Sequence, residues 1–300
     1  MPMKFRQFEL RSIIASGGMG TVYRAWDLNL NREVAVKMLK KEMASDEEVL
    51  ASFYREARAS ASLNHTNIIH IYTFDEADGQ PYLVMELADT DSLDKMIERD
   101  GHVPELKVLD VAIKIASALD TALKRNLLHR DLKPGNILFN ADGEPKLVDF
   151  GLARDAEDES ADTGVIWGTP YYVAPEKSNR ERETFHSDMY SLGATLYHAI
   201  TGHVPFEAES MLDVVLAHIN TPLTPPNEVV PEITQPTNDA LMIAMAKSPR
   251  ERFPTYDDFI MAFTSARSQL LIQQFRPEQD SEEGGAGAGP AQHGKGWWRR

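Results

Sequence analysis

Residues 127–140 read LLHRDLKPGNILFN, and this stretch decides how the rest of the chain is interpreted. Apolar residues open and close it, whereas its centre carries polar and charged groups: His129, Arg130, Asp131, Lys133 and Asn136. A buried strand would not hold such groups, because each is costly to bury without a partner. The pattern therefore indicates a loop between two hydrophobic anchors that keeps a base, two cations and an amide together.

Composition narrows the class of protein. The chain has 300 residues, of which 42% are hydrophobic and 26% charged, an ordinary globular composition. The net charge of −15 repels phosphate backbones, so we expect no nucleic-acid partner. The absence of cysteine excludes disulfides and thiolate zinc sites. No stretch reaches the roughly 18 apolar residues of a spanning helix, and we expect a cytoplasmic protein.

The hydrophobic pattern changes along the chain. Strand-like runs come first (FELRSII, TVYRA, EVAVKML, NIIHIYTF and PYLVMEL), interrupted by a charged helical segment from about residue 45 to 63. Helical spacing dominates later, with segments opened by Pro104 and capped by Thr255. We expect a small lobe at residues 1–87, a large lobe at 88–273 and a disordered tail at 274–300.

Two motifs in the first part suggest phosphate binding. In ASGGMGTVY (residues 15–23), a glycine-rich hairpin lets backbone N–H groups approach phosphate oxygens, although a tight turn is the alternative. In VAVK, Lys37 ends an apolar strand, and Glu56 of the following helix is its candidate partner. Such a pair fixes an ammonium for the α- and β-phosphates. Taken singly, Lys37 is more typical of a snorkelling lysine and Glu56 of a solvated helix residue.

Two motifs in the second part suggest phosphoryl transfer. Asp149 leaves an apolar strand in KLVDFGLA, where its carboxylate can hold Mg²⁺ together with the Asn136 oxygen; an Asx turn is the alternative. In the opening stretch, Asp131 can deprotonate an attacking hydroxyl, and Lys133 can neutralise a transferring phosphoryl group. Arg130 is a further cation, able to hold a phosphate or carboxylate from elsewhere.

Taken in order, GGxGTVY, VAVK, a helix glutamate, HRDLKPGN, DFG and APE resemble the eukaryotic protein kinase family over roughly residues 8–272. SGGMGTVYRA is most similar to the bacterial eukaryotic-like serine/threonine kinases. The resemblance implies a bilobal α+β fold, with a small antiparallel β-sheet lobe carrying one regulatory helix. A larger, mostly helical lobe follows, and ATP binds in the cleft between them.

The resemblance also implies roles for individual residues. Asp131 matches the catalytic base, Lys133 the γ-phosphate contact, and Lys37 with Glu56 the ion pair. Glu176 and Arg252 match a structural ion pair, and Asp188 matches a brace of the catalytic loop. Met85 falls at the gatekeeper position. Asn136 and Asp149 match the ligands of Mg²⁺, and Mn²⁺ can take the place of that ion. The expected ATP site comprises Ile14, Ala15, Ser16, Gly17, Gly18, Met19, Gly20, Val22, Ala35, Lys37, Met85, Glu86, Leu87, Leu138 and Asp149.

Lys133 and Thr169 fit the serine/threonine pattern, so the expected partners are proteins with Ser or Thr acceptors. Gly135 and His198 stand where kinases that prefer arginine two residues before the acceptor carry acids. We therefore expect no strong arginine preference there. Ala15 replaces the first loop glycine, which predicts at most weaker or slower ATP binding.

The segment from Asp149 to Glu176 carries seven acids and one base. One hypothesis is that Thr163, or next Ser160, is autophosphorylated and pairs with Arg130. Alternatively, Asp162 or a neighbouring acid reaches Arg130 without phosphorylation, or the loop is simply solvated.

The ending GKGWWRR resembles the cytoplasmic flank of a membrane span, although a disordered end is the alternative. Membrane association is expected only if the natural chain continues beyond Arg300, in which case this is the cytoplasmic domain of an anchored kinase. The sequence does not decide whether the chain forms a homodimer through the small lobe. The rival functions are a nucleotide-binding pseudokinase or scaffold, and a small-molecule kinase of related fold.

Overall fold

A computed structural model of the chain describes residues 3–17, 20–150, 154–155, 170–179 and 181–275. Its first part is a six-stranded antiparallel sheet in the order β1-β2-β3-β4-β6-β5. The strands are β1 (Met3–Phe5), β2 (Phe8–Ser16), β3 (Gly20–Asp27), β4 (Arg32–Leu39), β5 (Ile71–Ala77) and β6 (Gln80–Met85).

One helix, α1 (Glu47–Ser62), packs on this sheet. It begins after Asp46, whose carboxylate accepts hydrogen bonds from the first free N–H groups of the helix. Its apolar residues Phe53 and Ala57 are buried together with Leu39 of β4 and Leu83 of β6. Burial of this apolar face holds the helix beside the strands that carry the expected ATP site.

The second part is mainly helical. Its elements are β7 (Asp91–Ser92), α2 (Leu93–Asp100), α3 (Glu105–Leu123), β8 (Leu127–Leu128), β9 (Ile137–Phe139), β10 (Pro145–Leu147), β11 (Arg154–Asp155), α4 (Pro175–Ser178), α5 (Phe185–Thr201), α6 (Met211–Asn220), α7 (Pro226–Val229), α8 (Gln235–Ala244) and α9 (Tyr256–Phe275). Helices α3, α5, α8 and α9 share one large hydrophobic core. None of the described helices is long and apolar enough to cross a membrane.

The two parts are joined beside the catalytic loop. Ile69 N–H donates to the Leu147 carbonyl oxygen at 3.0 Å, and the Asn67 side-chain amide donates to the Pro145 carbonyl oxygen at 2.8 Å. Strand β10 pairs with β9, and β9 pairs with β7. The short strand pairs β9–β10 and β7–β9 thus fix the end of the loop between β8 and β9.

The predicted α+β class is confirmed, with an antiparallel sheet lobe followed by a helical lobe. The predicted strand NIIHIYTF begins only at Ile71, because Asn67 and Ile69 bond to Leu147 of β10 instead of to β6. The last helix extends to Phe275, two residues past the predicted boundary, and the rest of the predicted tail lies outside the described residues. The other lobe boundaries stay predictions.

Candidate active site

The carboxylate of Asp131 is fixed by its own loop. Lys133 Nζ lies 2.7 Å from Asp131 Oδ2, and Asn136 Nδ2 donates to the same oxygen at 3.1 Å and to the Asp131 carbonyl oxygen at 2.7 Å. Both donors converge on Oδ2, and Oδ1 accepts no hydrogen bond from the described residues. The two oxygens of the Asp131 carboxylate therefore differ, since Oδ2 is bonded to two side chains and Oδ1 has no donor among the described residues.

Asp188 of α5 holds the backbone of this loop. It is 3% exposed, and its two oxygens accept from His129 N–H at 2.7 Å and from Arg130 N–H at 2.8 Å. Arg130 has φ +65°, a left-handed conformation that costs a non-glycine residue about 1–3 kcal/mol. The two charge-assisted bonds offset this cost, so Asp188 braces the loop as the resemblance implies.

His129 connects the loop to the strand that leads into Asp149. The imidazole is fully buried, its Nε2 lies 3.0 Å from the Val148 carbonyl oxygen, and Asp131 N–H lies 3.3 Å from Nδ1. Because a carbonyl only accepts, Nε2 carries the proton and Nδ1 accepts. The ring also contacts buried Phe150, centroid to centroid 4.7 Å.

Backbone bonding places Asn136 beside the residue that precedes Asp149, since Val148 N–H donates to the Asn136 carbonyl oxygen at 3.0 Å. The Asn136 amide nitrogen is turned to Asp131, which leaves its side-chain oxygen for a cation. The described residues hold no group of three or more His, Cys, Asp or Glu able to bind a metal. Two oxygen ligands nevertheless fit Mg²⁺, which keeps waters and substrate phosphates in its shell.

The described ends of the glycine-rich loop between β2 and β3 are joined by a hydrogen bond, in which Gly17 N–H donates to the Gly20 carbonyl oxygen at 2.9 Å. A Cβ on Gly20 would stand 2.4 Å from the Met38 carbonyl oxygen, so only glycine fits there. A Cβ on Gly17 would meet nothing within 4 Å. The predicted loop residues Gly18 and Met19 lie outside the described part.

Strand register places the other expected nucleotide residues side by side. Val22 of β3 is opposite Lys37 of β4, and Ala35 of β4 is opposite Met85 of β6. Lys37 is half-buried, with Nζ 6.0 Å from the Phe53 ring centroid. Its expected partner is Glu56, whose backbone is in α1 and whose side chain is outside the described part.

At the hinge after β6, the backbone and the side chain of Glu86 both make polar contacts within the protein. Its backbone N–H donates to the His70 carbonyl oxygen at 2.8 Å, and its carboxylate lies 2.5 Å from Lys146 Nζ. The Lys146 side chain is 8% exposed, so this ion pair is largely withdrawn from solvent. The backbone N–H and the carboxylate of Glu86 are thus both bonded within the protein. The sequence feature that could have indicated this ion pair is Lys146, a lysine within the apolar run KLVDFG.

A polar pocket lies beside the catalytic loop and is lined by Arg130, Asp131, Tyr172, Lys177 and Glu183, among others. The Arg130 side chain is 9% exposed, and its Nε has no hydrogen-bond partner within the described part of the chain. Glu183 Oε1 is 4.0 Å from that nitrogen, and Glu183 Oε2 is 3.5 Å from Lys177 Nζ.

Sequence reasoning missed Glu183, which no motif marks. Burial, reinforced by Asp188, raises the pKa of Glu183 above the usual carboxyl value, even though Lys177 and Arg130 act in the opposite direction. The residues expected to reach Arg130, which are Thr163, Ser160 and Asp162, lie outside the described residues.

The structural pair Glu176–Arg252 is buried, with two nitrogen–oxygen distances of 2.7 and 2.8 Å. Burial favours the neutral acid, but the bonds from Arg252 outweigh it and lower the pKa of Glu176. Arg252 also donates to three backbone carbonyl oxygens. The pair thus fixes the start of α4 without touching the reacting groups.

The comparison with known proteins decides the family. Residues 8–261 match the protein kinase domain. The chain belongs to the protein kinase family. Members of this family use ATP and a divalent metal.

Three bacterial kinases are among the relatives of this kinase chain. It is 36% identical over 268 residues to serine/threonine-protein kinase PknA of Mycobacterium tuberculosis, an alignment covering 87% of this chain and 62% of the relative. It is 33% identical over 279 residues to serine/threonine-protein kinase PrkC of Bacillus subtilis, covering 92% of this chain and 43% of the relative. A probable serine/threonine-protein kinase of Clostridium perfringens is 36% identical, with 85% and 37% covered. The chain therefore spans less than two thirds of the length of these relatives.

Proposed function

We propose that this kinase chain transfers the γ-phosphoryl group of ATP to serine or threonine hydroxyls of proteins. The observation that carries the proposal is the geometry of Asp131, whose Oδ2 is held by Lys133 and Asn136 while Oδ1 faces no described donor. The names of the relatives support Ser and Thr acceptors, as do Lys133 and Thr169 in the sequence.

In the proposed reaction, the oxygen of the substrate hydroxyl bonds to the γ-phosphorus while Asp131 accepts the proton of that hydroxyl. The bond between the γ-phosphorus and the bridging oxygen of ADP breaks, and that oxygen keeps the electron pair. Lys133 lies 2.7 Å from Asp131 and can neutralise charge on the transferring group. Bound Mg²⁺, or Mn²⁺, would be held by Asn136 and Asp149 and would neutralise phosphate charge.

The experiment compares the purified chain with its Asp131→Asn variant in Mg–ATP, using a generic protein substrate and mass spectrometry of phosphosites. Loss of the general base is expected to slow transfer by about 100- to 10,000-fold. Equal phosphorylation by both proteins would refute the assignment. Transfer to metabolites but not to protein would favour a small-molecule kinase, and nucleotide binding without Asp131-dependent transfer would favour a pseudokinase.

We also propose that Thr163, with Ser160 as the second candidate, is autophosphorylated and that the phosphate pairs with Arg130. The support is the buried guanidinium of Arg130, whose Nε has no hydrogen-bond partner within the described residues. Full activity of a variant with both residues changed to alanine would contradict this proposal. We place the kinase in the cytoplasm, with proteins as its substrates. A homodimer through the small lobe is a hypothesis that analytical centrifugation tests. Membrane anchoring, if the natural chain continues beyond Arg300, is a hypothesis that membrane fractionation tests.

A further inference from the structure

The hinge that joins the two lobes is short and carries an acid at each end. Strand β6 ends directly before Glu86. Thr90 is already bonded to the helical lobe, since its hydroxyl donates to the Phe139 carbonyl oxygen of β9 at 2.8 Å. Residues 86–89 therefore form the hinge, with Glu86 at its first position and Asp89 at its last.

The acid at the first end of the hinge is bonded to the helical lobe. Glu86 follows a strand of the sheet lobe, but its carboxylate lies 2.5 Å from Lys146 Nζ of β10. In the ladder between β9 and β10, Lys146 stands opposite Leu138, a residue of the expected ATP site. The ion pair thus connects the start of the hinge to the strands that carry Leu138.

The acid at the other end of the hinge is bonded to the sheet lobe. Asp89 Oδ2 lies 3.0 Å from Arg24 Nη1 of β3. The same guanidinium donates two hydrogen bonds to Glu33, at 3.1 and 2.8 Å, and this bidentate contact fixes its plane. Arg24 stands opposite Ala35 and follows Val22 by two residues, so the three side chains share one face of the sheet. The pair thus connects the end of the hinge to the strands that carry Val22 and Ala35.

The two ion pairs cross the hinge in opposite directions. Each one links an end of the hinge to the lobe on the far side, so a rotation of the lobes about the hinge changes both distances. The expected ATP site has Val22 and Ala35 in the sheet lobe and Leu138 in the helical lobe. The spacing between these two sides follows the same rotation, and both ion pairs therefore restrict it.

We infer that Arg24 and Lys146 are positioning residues for the nucleotide, which hold the hinge in the geometry that binds ATP. A site whose geometry is fixed in advance loses less free energy to ordering when its ligand binds. Both cations are already bonded to acids of the protein, so they act through the hinge and not by contact with phosphate. This inference rests on the nucleotide binding that the proposed function requires.

The test is the Kd of the purified chain for Mg–ADP, measured by titration calorimetry, because binding of ADP does not require the transfer reaction. Asp89→Asn removes the acid of the more exposed pair and should raise Kd about 3- to 5-fold. Glu86→Gln combined with Lys146→Met removes both charges of the buried pair without leaving one unpaired, and should raise Kd about 5- to 50-fold. Lys146→Arg can still pair with Glu86 and should keep the wild-type Kd.

Two substitutions serve as matched controls. Arg11 is a second arginine beside Glu33, 3.7 Å from its carboxylate, and also contacts Glu9. Lys114 makes a 2.6 Å ion pair with Glu144, the residue directly before β10. Arg11→Gln and Lys114→Met remove comparable ion pairs outside the hinge, so both should bind Mg–ADP as wild type does.

Wild-type affinity in Asp89→Asn or in the Glu86→Gln, Lys146→Met variant would overturn the inference, as would an equal loss in the matched controls. If urea unfolding shows that the double variant does not fold, the comparison of Asp89→Asn with Arg11→Gln decides. Binding of Mg–ADP by wild type without Asp131-dependent transfer would refute the proposed transfer reaction and leave the role of the two ion pairs standing. Absence of nucleotide binding by wild type would overturn both.

Discussion

The buried histidine of α6 should make the stability of this kinase depend on pH in a measurable way. His218 is fully buried, with Nδ1 2.8 Å from the Tyr190 hydroxyl oxygen and Nε2 3.0 Å from the Tyr171 carbonyl oxygen. The carbonyl can only accept, so Nε2 donates to it and Nδ1 accepts from Tyr190. The neutral imidazole satisfies both partners, and a second proton would break the bond to Tyr190.

The size and sign of the effect follow from two pKa values. Burial, with a smaller contribution from Lys247, lowers the pKa of His218 from 6.5 to about 4. Between these values the unfolded chain binds a proton that the folded chain excludes. The contribution of His218 is therefore complete above pH 6.5 and is lost as the pH falls through 4. At about 1.4 kcal/mol per pKa unit, the loss is about 3 kcal/mol.

The assay is urea unfolding of wild type and His218→Gln at several pH values between 4 and 8. Glutamine can donate to the Tyr171 carbonyl oxygen but does not titrate, and the other titrating groups are shared by both proteins. The difference in unfolding free energy between them should therefore shrink by about 3 kcal/mol from pH 7 to pH 4.

Tyr190→Phe is the control, because it keeps the titrating imidazole and removes only one hydrogen bond. It should cost about 1 kcal/mol at neutral pH and keep a slope with pH. A difference between wild type and His218→Gln that stays constant over this range would refute the reasoning.

Two further substitutions test other parts of the structure. Gly20→Ala should destabilise the sheet by about 1–3 kcal/mol and raise KM for ATP, because its Cβ would stand 2.4 Å from a backbone oxygen of β4. The control is Gly17→Ala, which has open space around the new Cβ and should have smaller effects. Equal effects of the two substitutions would argue against the steric explanation. Glu183→Gln should be at least as stable as wild type above the usual carboxyl pKa, because the raised pKa of Glu183 means that the fold disfavours its charge. Urea unfolding of this variant checks the sign, and a loss of stability would show that Arg130 and Lys177 dominate.

Local patterns predicted much of this fold. The runs FELRSII and EVAVKML predict strands because alternation and β-branched residues are visible within a few positions, and both are strands in the structure. Thr255 predicts the start of the last helix, and its hydroxyl indeed accepts from Asp258 N–H at 3.1 Å. The run NIIHIYTF was only half correct, because its first residues bond to β10, which is distant in sequence.

The parts of the site that sequence did not predict are pairs between distant positions. Lys146 and Glu86 are 60 residues apart, and Glu183 lies 53 residues after Arg130. No periodicity or short motif records such a distance, since each residue alone resembles a solvated surface charge.

The bonding of Asp188 bears on how a phosphate on the loop would act. Both oxygens of Asp188 accept from the backbone of His129 and Arg130, so these two bonds to the catalytic loop do not involve the Arg130 side chain. Lys177 donates to the Arg130 carbonyl oxygen at 3.1 Å and also faces Glu183, which ties this side chain cluster to α4. A phosphate that paired with Arg130 would therefore change the charge balance of Lys177 and Glu183, next to the segment containing Tyr172. Phosphorylation should accordingly alter protein-substrate binding more than the geometry of Asp131.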